Sequence, residues 1–368
     1  MATTKVTTDV IDMSGNAGGL TWVKGTTAQR EAAPSTGVGN LRENTETNRT
    51  EIYTNQTGTD EWRNLKESAV DNTVDVNFLV VAGGGGGNIS NGGGGGAGGL
   101  RTSYATTGGG GSAEAVLSLS TLTDIAVTVG PGASLSVSPN HQNGSNSIFS
   151  SITSTGGGAG GFRDPNVSAS QGQDGGSGGG GPSQGGPANS SPNGSAVTSP
   201  VVQGFDGTFG VDGPGNGYLG GGGGGAGGVG AVYGNGGAGL PVNILSYTNA
   251  GPVSVGEISG TDVYYGGGGG GGANSGPGTG GLGGGGDGSS TTAMGTGSPN
   301  TGGGAGSGSS SSVVSGGTGG SGVVIIRYPS ANAITVPGTL IESTGSPFAE
   351  GSFKVSVFIS GSGNIQIT

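Results

Sequence analysis

The stretch Thr73-Val74-Asp75-Val76-Asn77-Phe78-Leu79-Val80-Val81-Ala82, followed directly by Gly83–Gly87, decides how the rest of the chain is read. It begins with apolar and polar residues in alternation and turns wholly apolar, as a strand does when it enters a sheet buried on both faces. It then runs without a break into five glycines. The same junction recurs in reverse near the other end, where Gly319-Gly320-Ser321-Gly322 leads into Val323-Val324-Ile325-Ile326-Arg327-Tyr328. Two strong strands therefore bracket a long glycine-rich stretch, which reads as a set of insertions at one end of a small sheet. Ala115 to Ser120 and Ile125 to Val129 alternate at period two, with a turn at Gly130-Pro131-Gly132, and read as further strands, as does Ile148 to Thr153. Phe353 to Ile359 and Ile365 to Ile367 read as a C-terminal hairpin around Gly361-Ser362-Gly363.

Between the brackets lie Gly92–Gly96, Gly108–Gly111, Gly178–Gly181, Gly220–Gly225, Gly266–Gly272 and Gly283–Gly286. With 96 Gly and 16 Pro among 368 residues, and Leu, Ile, Val and Phe together at about 18%, one thick hydrophobic core is excluded. Disordered chains of this kind hold themselves open with charge, yet only 9% of these residues are charged. A neutral glycine-dense chain pairs its own backbone groups instead. Extended threefold helices of the polyproline II type make no internal hydrogen bonds. Without a Cβ in the way, such helices can bond laterally into a rigid, nearly uncharged bundle, and a flexible linker is the alternative. The fold class expected is mainly β with polyglycine II-like helices and negligible α-helix.

Charge marks a boundary near residue 72. Residues 1–75 carry seven of the 11 basic and 11 of the 22 acidic side chains. The domains expected are 1–72, a β-rich attachment and oligomerisation module; 73–329, the glycine-rich domain with its bracketing strands; and 330–368, the C-terminal hairpin segment. Strand candidates in the first module are Leu20 to Val23, Asn40 to Arg42, Glu51 to Tyr53 and Glu61 to Leu65. Strands so short cannot bury two tryptophans in one copy. Trp22, Tyr53, Trp62 and Leu65 are therefore the oligomer-core candidates.

The formal net charge of −11 argues against nucleic acid, because no basic patch is available to neutralise phosphates. No stretch approaches membrane-spanning length, and no apolar leader opens the chain, so synthesis in the cytoplasm without membrane insertion is expected. With no cysteine, thiolate chemistry and disulfides are excluded. His141 stands alone in a Pro-Asn-His-Gln-Asn-Gly loop with no orienting partner, and no acid, base and nucleophile group together, so no enzyme is expected. Asp206-Gly207 and Asp212-Gly213 lack the oxygen-ligand spacing of a calcium loop and read as turns, so neither metal nor cofactor is expected. Phe205, Phe209, Tyr218, Tyr233 and Tyr247 lie between glycine runs, where loops would end the bundle. Aromatics held on rigid loops suit contact with a glycan or a protein, and they serve equally to cap the glycines. Tyr264-Tyr265, abutting seven glycines, reads as such a cap.

Two stretches carry a family resemblance. Gly25 to Arg30 (GTTAQR), Pro34, Arg42, Asn44-Thr45, Thr47, Glu51, Tyr53, Trp62 and Asn64-Leu65 resemble a short module common in tail fibres and other virion proteins of tailed phages. LVVAGGGGG at 79–87, GGGGGAGG at 92–99 and GGSGVVIIRYP at 319–329 are similar to the glycine-rich domain of phage structural proteins, those of marine cyanophages especially. In architecture alone, a polyglycine body resembles the receptor-binding tips of T-even-like phage adhesins. The resemblance implies a homotrimeric tail fibre or adhesin in the virion. Its N-terminal module would bind other virion proteins, and its loops a host-surface glycan or protein. A capsid-attached decoration fibre would carry the same features. An ice-binding polyglycine protein would need a regular repeat with one flat face, and the spacing here is irregular.

Overall fold

The computed structural model describes residues 23–32, 41–46, 49–54, 61–64, 73–134, 142–163, 170–183, 192–213, 217–231, 234–291, 293–309 and 317–368. The chain divides into two compact units, Met1–Asn72 and Thr73–Thr368. It is mainly β with little helix.

In the first unit β1 (Val23–Gly25) runs parallel to β2 (Leu41–Asn44), and β3 (Arg49–Thr54) and β4 (Glu61–Asn64) follow antiparallel, in the order β1-β2-β3-β4. The parallel crossover is α1 (Thr27–Ala32), a helix the sequence reading passed over. Its signal was present in GTTAQR. Thr26 Oγ1 accepts from the Gln29 amide at 3.2 Å, and Gln29 Oε1 accepts from the Thr26 amide at 2.8 Å. This reciprocal box satisfies two amides that a helix start leaves open. Among its described residues, Arg42, Asn44, Glu51 and Tyr53 are buried. Glu51 receives the Asn44 amide at 2.9 Å and lies 3.5 Å from Arg42, whose guanidinium sits 5.7 Å from the Trp62 ring centre. Tyr53, opposite Trp62 in the register, packs on it at 5.3 Å between ring centres.

The second unit begins with β5 (Thr73–Val81), exposed at Thr73 and Asp75 and wholly buried from Phe78 onward. The sheet continues through β6 (Leu100–Thr102), β7 (Leu117–Ser120), β8 (Ile125–Val129), β9 (Ser147–Phe149) and β10 (Ile152–Ser154). Two further pieces, the hairpin of β11 (Val211–Gly213) with β12 (Gly217–Leu219) and the small sheet of β13 (Leu240–Pro241), β14 (Glu257–Ser259) and β15 (Asp262–Tyr265), lie outside it, with α2 (Tyr247–Ala250) beside β15. The chain ends in β16 (Val323–Pro329), β17 (Ile334–Thr335), β18 (Leu340–Glu342), β19 (Phe348–Glu350) and β20 (Phe353–Ile367). The main order is β10-β9-β8-β20-β16-β5-β6, with antiparallel neighbours.

The alternation in β16 explains the double burial. Val324, Ile326 and Tyr328 join Phe78, Val80, Phe149, Phe358 and Ile365 in one cluster; Val323 and Ile325 join Leu79, Val81, Leu100, Val355, Val357 and Tyr265 in another. Each such side chain contributes about 1.5–3 kcal/mol on burial, so a thin sheet covered twice suffices. Two expectations are corrected. Ile148 to Thr153 is not one strand but the hairpin β9–β10, turned at Ser150, whose φ is +53°. The C-terminal hairpin is instead the single strand β20. Its Phe353–Phe358 half pairs with β16 and its Gly361–Ile365 part with β8, so the backbone is bonded across the glycines and has no occasion to reverse.

The glycine tracts leave the sheet from the ends of these strands. Residues 82–88 go out, turn at 88–91, and return along 92–99 into β6. Within the returning tract the hydrogen bonds follow a fixed rotation. Gly93, Gly96 and Gly99 donate to Gly161, Gly158 and Thr155 at 2.7–2.9 Å; Gly94 and Ala97 to Gly221 and Gly224; Gly95 and Gly98 to Ala305 and Gly302. Every third amide thus returns to the same neighbour. Tract 82–87 does likewise, cycling among Gly99 and Gly96, Ser145 and Gln142, and Gly320 and Gly317. Tract 156–161 has two glycine-rich neighbours, and on its third side the Asn146 and Asn143 side-chain oxygens accept from Gly156 and Ala159 at 2.9 Å each. A β-strand bonds to two neighbours at period two; these tracts bond to three at period three. A Cβ at Gly85 would lie 2.2 Å from the Gly158 oxygen, so only glycine permits this approach.

Candidate functional site

The far end of the glycine body gathers several turns. The 88–91 turn bonds to two others, with Ser183 N donating to Asn91 O at 3.0 Å and Asn91 N to Gly308 O at 2.9 Å. The β11–β12 hairpin joins them through the Leu219–Ala273 bridge and the bond from Gly220 N to Gly272 O. Ser289 bridges Gly308 in the same layer. Buried polar atoms cluster here too. The Asn91 Oδ1 and the Ser183 hydroxyl lack a partner among the described residues.

Of the aromatic candidates, two stand at this end. Tyr218 projects from β12, 38% exposed, with the Arg163 guanidinium 4.4 Å from its ring centre. Phe209, half-buried, follows Thr208 and precedes β11. Phe205 is half-buried nearer the sheet, two residues beyond Gln203, whose carbonyl receives the Leu100 amide and whose side chain receives that of Thr155. Tyr247 opens α2 on the sheet side, 42% exposed. Tyr233, Trp22, Leu65 and His141 lie outside the described residues. The structure brings Tyr218 and Phe209 to one end and does not bring Phe205 or Tyr247 there. Arg163, which the sequence reading missed, becomes visible only once its ring partner is known. Its one signal was rarity, as one of four cations after residue 76.

Tyr265 is fully buried beneath the glycine body, against Gly256, and burial pushes its hydroxyl pKa up. Asp206 accepts the Ala196 amide at 2.7 Å. Among the described residues, no three His, Cys, Asp or Glu side chains come together to hold a metal ion. What the far end exposes is Tyr218, with Arg163 over its ring, on a platform of backbone-bonded turns whose Asn91 and Ser183 side chains are buried.

No curated protein and no solved structure matches this chain. A family model described as a glycine-rich domain matches residues 59–329, from the last strand of the first unit through β16. That span is about three quarters of the sequence and holds every tract described above, and the chain belongs to this glycine-rich domain family.

Proposed function

We propose that the chain is a non-catalytic virion protein of a tailed phage, a tail fibre or adhesin, and that its glycine tracts form a polyglycine II-type bundle displaying loops to the host surface. The observation that carries this reading is the period-three rotation of hydrogen bonds among tracts. A threefold extended helix presents successive amides at 120° intervals and bonds none of them internally, so each amide needs a neighbour and finds one of three. Such a body is stiff because moving one tract breaks bonds on three sides. Stiffness is what a display device needs, since weak contacts from copies held in register add.

The tail-fibre assignment draws on the order of the two resemblances, the GTTAQR-containing module followed by the glycine domain. The motif residues Thr26, Gln29, Arg42, Asn44, Glu51, Tyr53 and Trp62 form one contact set, which supports reading the module as a folded unit. On this reading residues 1–72 hold a homotrimer and bind other virion proteins, and Tyr218 and Phe209 are the first candidates for touching a host glycan or protein. The protein is made in the host cytoplasm and resides in the particle. Immunogold labelling of intact virions with antibody against residues 76–368 tests this. Label at the tail periphery is expected; label confined to the capsid makes the protein a decoration fibre, and absence from particles overturns the reading.

A further inference from the structure

Four cations follow residue 76, and two of them are conventionally engaged. Arg101 forks onto Glu114, and Lys354 Nζ donates to the Asn332 carbonyl at 2.9 Å. Arg163 stacks on Tyr218 at the far end. Arg327, on β16, is different in kind and place. Its guanidinium carbon lies 3.4 Å from the Phe353 ring centre and 5.5 Å from that of Tyr104, and no oxygen among the described residues accepts a hydrogen bond from it. The nearby Glu350 attracts it without a hydrogen bond between them, and the donors Ser246 N, Ser246 Oγ and Asn249 Nδ2 all meet the Glu350 Oε1 atom.

Directly opposite Arg327 in the sheet stands Asn77 of β5, on the same face. The Ser103 hydroxyl accepts from the Phe78 amide at 2.9 Å and donates to Asn77 Oδ1 at 3.3 Å. That orientation turns the Asn77 NH2 away from Ser103, and no acceptor among the described residues meets it. Two neighbouring side chains thus present donors and no acceptor, between a half-buried Phe353 ring and a Tyr104 ring that is 41% exposed.

A guanidinium fork pairs two parallel N–H groups with a planar carboxylate, and the Asn77 NH2 supplies a third donor beside it. Tyr104, 41% exposed beside the guanidinium, offers an apolar ring with a polar rim, which suits the C–H face of a sugar ring. The net charge of −11 disfavours a polyanion and leaves a single carboxylate as the matching charge. We infer that Arg327, Asn77, Tyr104 and Phe353 form a binding site for a carboxylate-bearing sugar, at the sheet end of the unit and independent of the far-end loops.

Calorimetric titration of the full chain with sodium glucuronate tests it, with glucose and acetate as probes lacking the carboxylate and the ring. Saturable glucuronate binding is expected, with both fragments weaker by about tenfold or more, the scale of one charge-assisted bond. Arg327→Gln lowers glucuronate affinity by about tenfold or more. Arg327→Lys recovers part of it, because the charge remains and the fork does not. Lys354→Gln, which removes a cation from the opposite face of the same sheet, leaves it unchanged, and unaltered thermal unfolding of each variant shows that the fold is intact. The inference is overturned if glucuronate does not saturate, if folded Arg327→Gln binds as the parent does, or if Lys354→Gln weakens binding as much as Arg327→Gln does. Acetate or an acetylated glutamyl peptide binding as tightly as glucuronate overturns it as well, since no sugar ring would then be recognised.

Discussion

A single methyl group, placed at either of two adjacent glycines, separates lateral tract packing from generic glycine content. At Gly85 a Cβ would meet the Gly158 oxygen at 2.2 Å and its carbonyl carbon at 2.6 Å. At Gly86 the nearest atoms, Ala133 Cβ, Gln142 O and Gly317 O, all lie at 3.4 Å, an ordinary contact. Neither residue has a positive φ, so alanine fits both backbones locally. Relieving the Gly85 clash requires tract 155–161 to retreat by about 1 Å, since carbon contacts settle near 3.5 Å. That tract carries the bonds from Gly96 N to Gly158 O, 2.7 Å, and from Gly158 N to Ser177 O, 2.9 Å. Losing both costs about 2 kcal/mol, and overpacking adds about 1–3 kcal/mol. Against this, Gly→Ala restricts the unfolded chain and returns about 0.4–1 kcal/mol. Gly85→Ala should therefore destabilise by about 2–5 kcal/mol, and Gly86→Ala should be neutral or stabilise by up to about 1 kcal/mol. Urea unfolding of the two variants, followed by circular dichroism, measures the difference. Equal midpoints would refute the packing argument, because a loose glycine linker does not distinguish adjacent positions.

Other consequences are local. The buried Tyr265 hydroxyl has no hydrogen-bond partner among the described residues, so Tyr265→Phe should stabilise by up to about 1 kcal/mol in the same urea assay; a clear loss would reveal a partner. Burial works to raise the Glu350 pKa, and the Ser246 and Asn249 hydrogen bonds with the Arg327 charge outweigh it, leaving the value lowered from 4.5. A lowered folded-state pKa gives stability that is present above the ordinary value and lost as pH falls through the lowered one. Acid should thus release α2 from β19 below about pH 4.5, and Glu350→Gln should remove that step from a pH series of hydrogen exchange at Ser246; an unchanged acid step would contradict the assignment. Replacing Thr26 by Val and Gln29 by Ala together should cost the first unit about 1–2 kcal/mol and speed exchange at both amides, and unchanged protection there would remove the capping box from the account.

How much could be read beforehand depended on whether the deciding interaction was local. In β5 and β16 the pattern of apolar residues is itself the burial pattern, so both strands and their double-sided burial followed from sequence. GTTAQR carried a legible helix start in its Thr-x-x-Gln spacing, but six helical residues leave no periodicity to notice. The β9–β10 turn rests on Ser150 at positive φ, which composition does not announce. Gly361-Ser362-Gly363 has the residues of a hairpin turn, and only the presence of β8 and β18 on either side keeps β20 straight there. At the candidate sites the aromatics were legible and their grouping was not. Tyr218 acquires its arginine from a segment 55 positions earlier, and Arg327 its rings from Tyr104 and Phe353. Such pairings depend on which tract neighbours which, and runs of identical residues contain no register information.

The period-three bonding is the centre of the account, and nuclear magnetic resonance couplings across hydrogen bonds read it directly. In isotope-labelled protein the amides of Gly94, Gly95 and Gly96 should show couplings to the carbonyls of Gly221, Ala305 and Gly158, one from each of three tracts, with slow exchange at all three. Couplings that alternate between two partners would make the tracts ordinary strands, and fast exchange without couplings would make them linkers; either result contradicts the account.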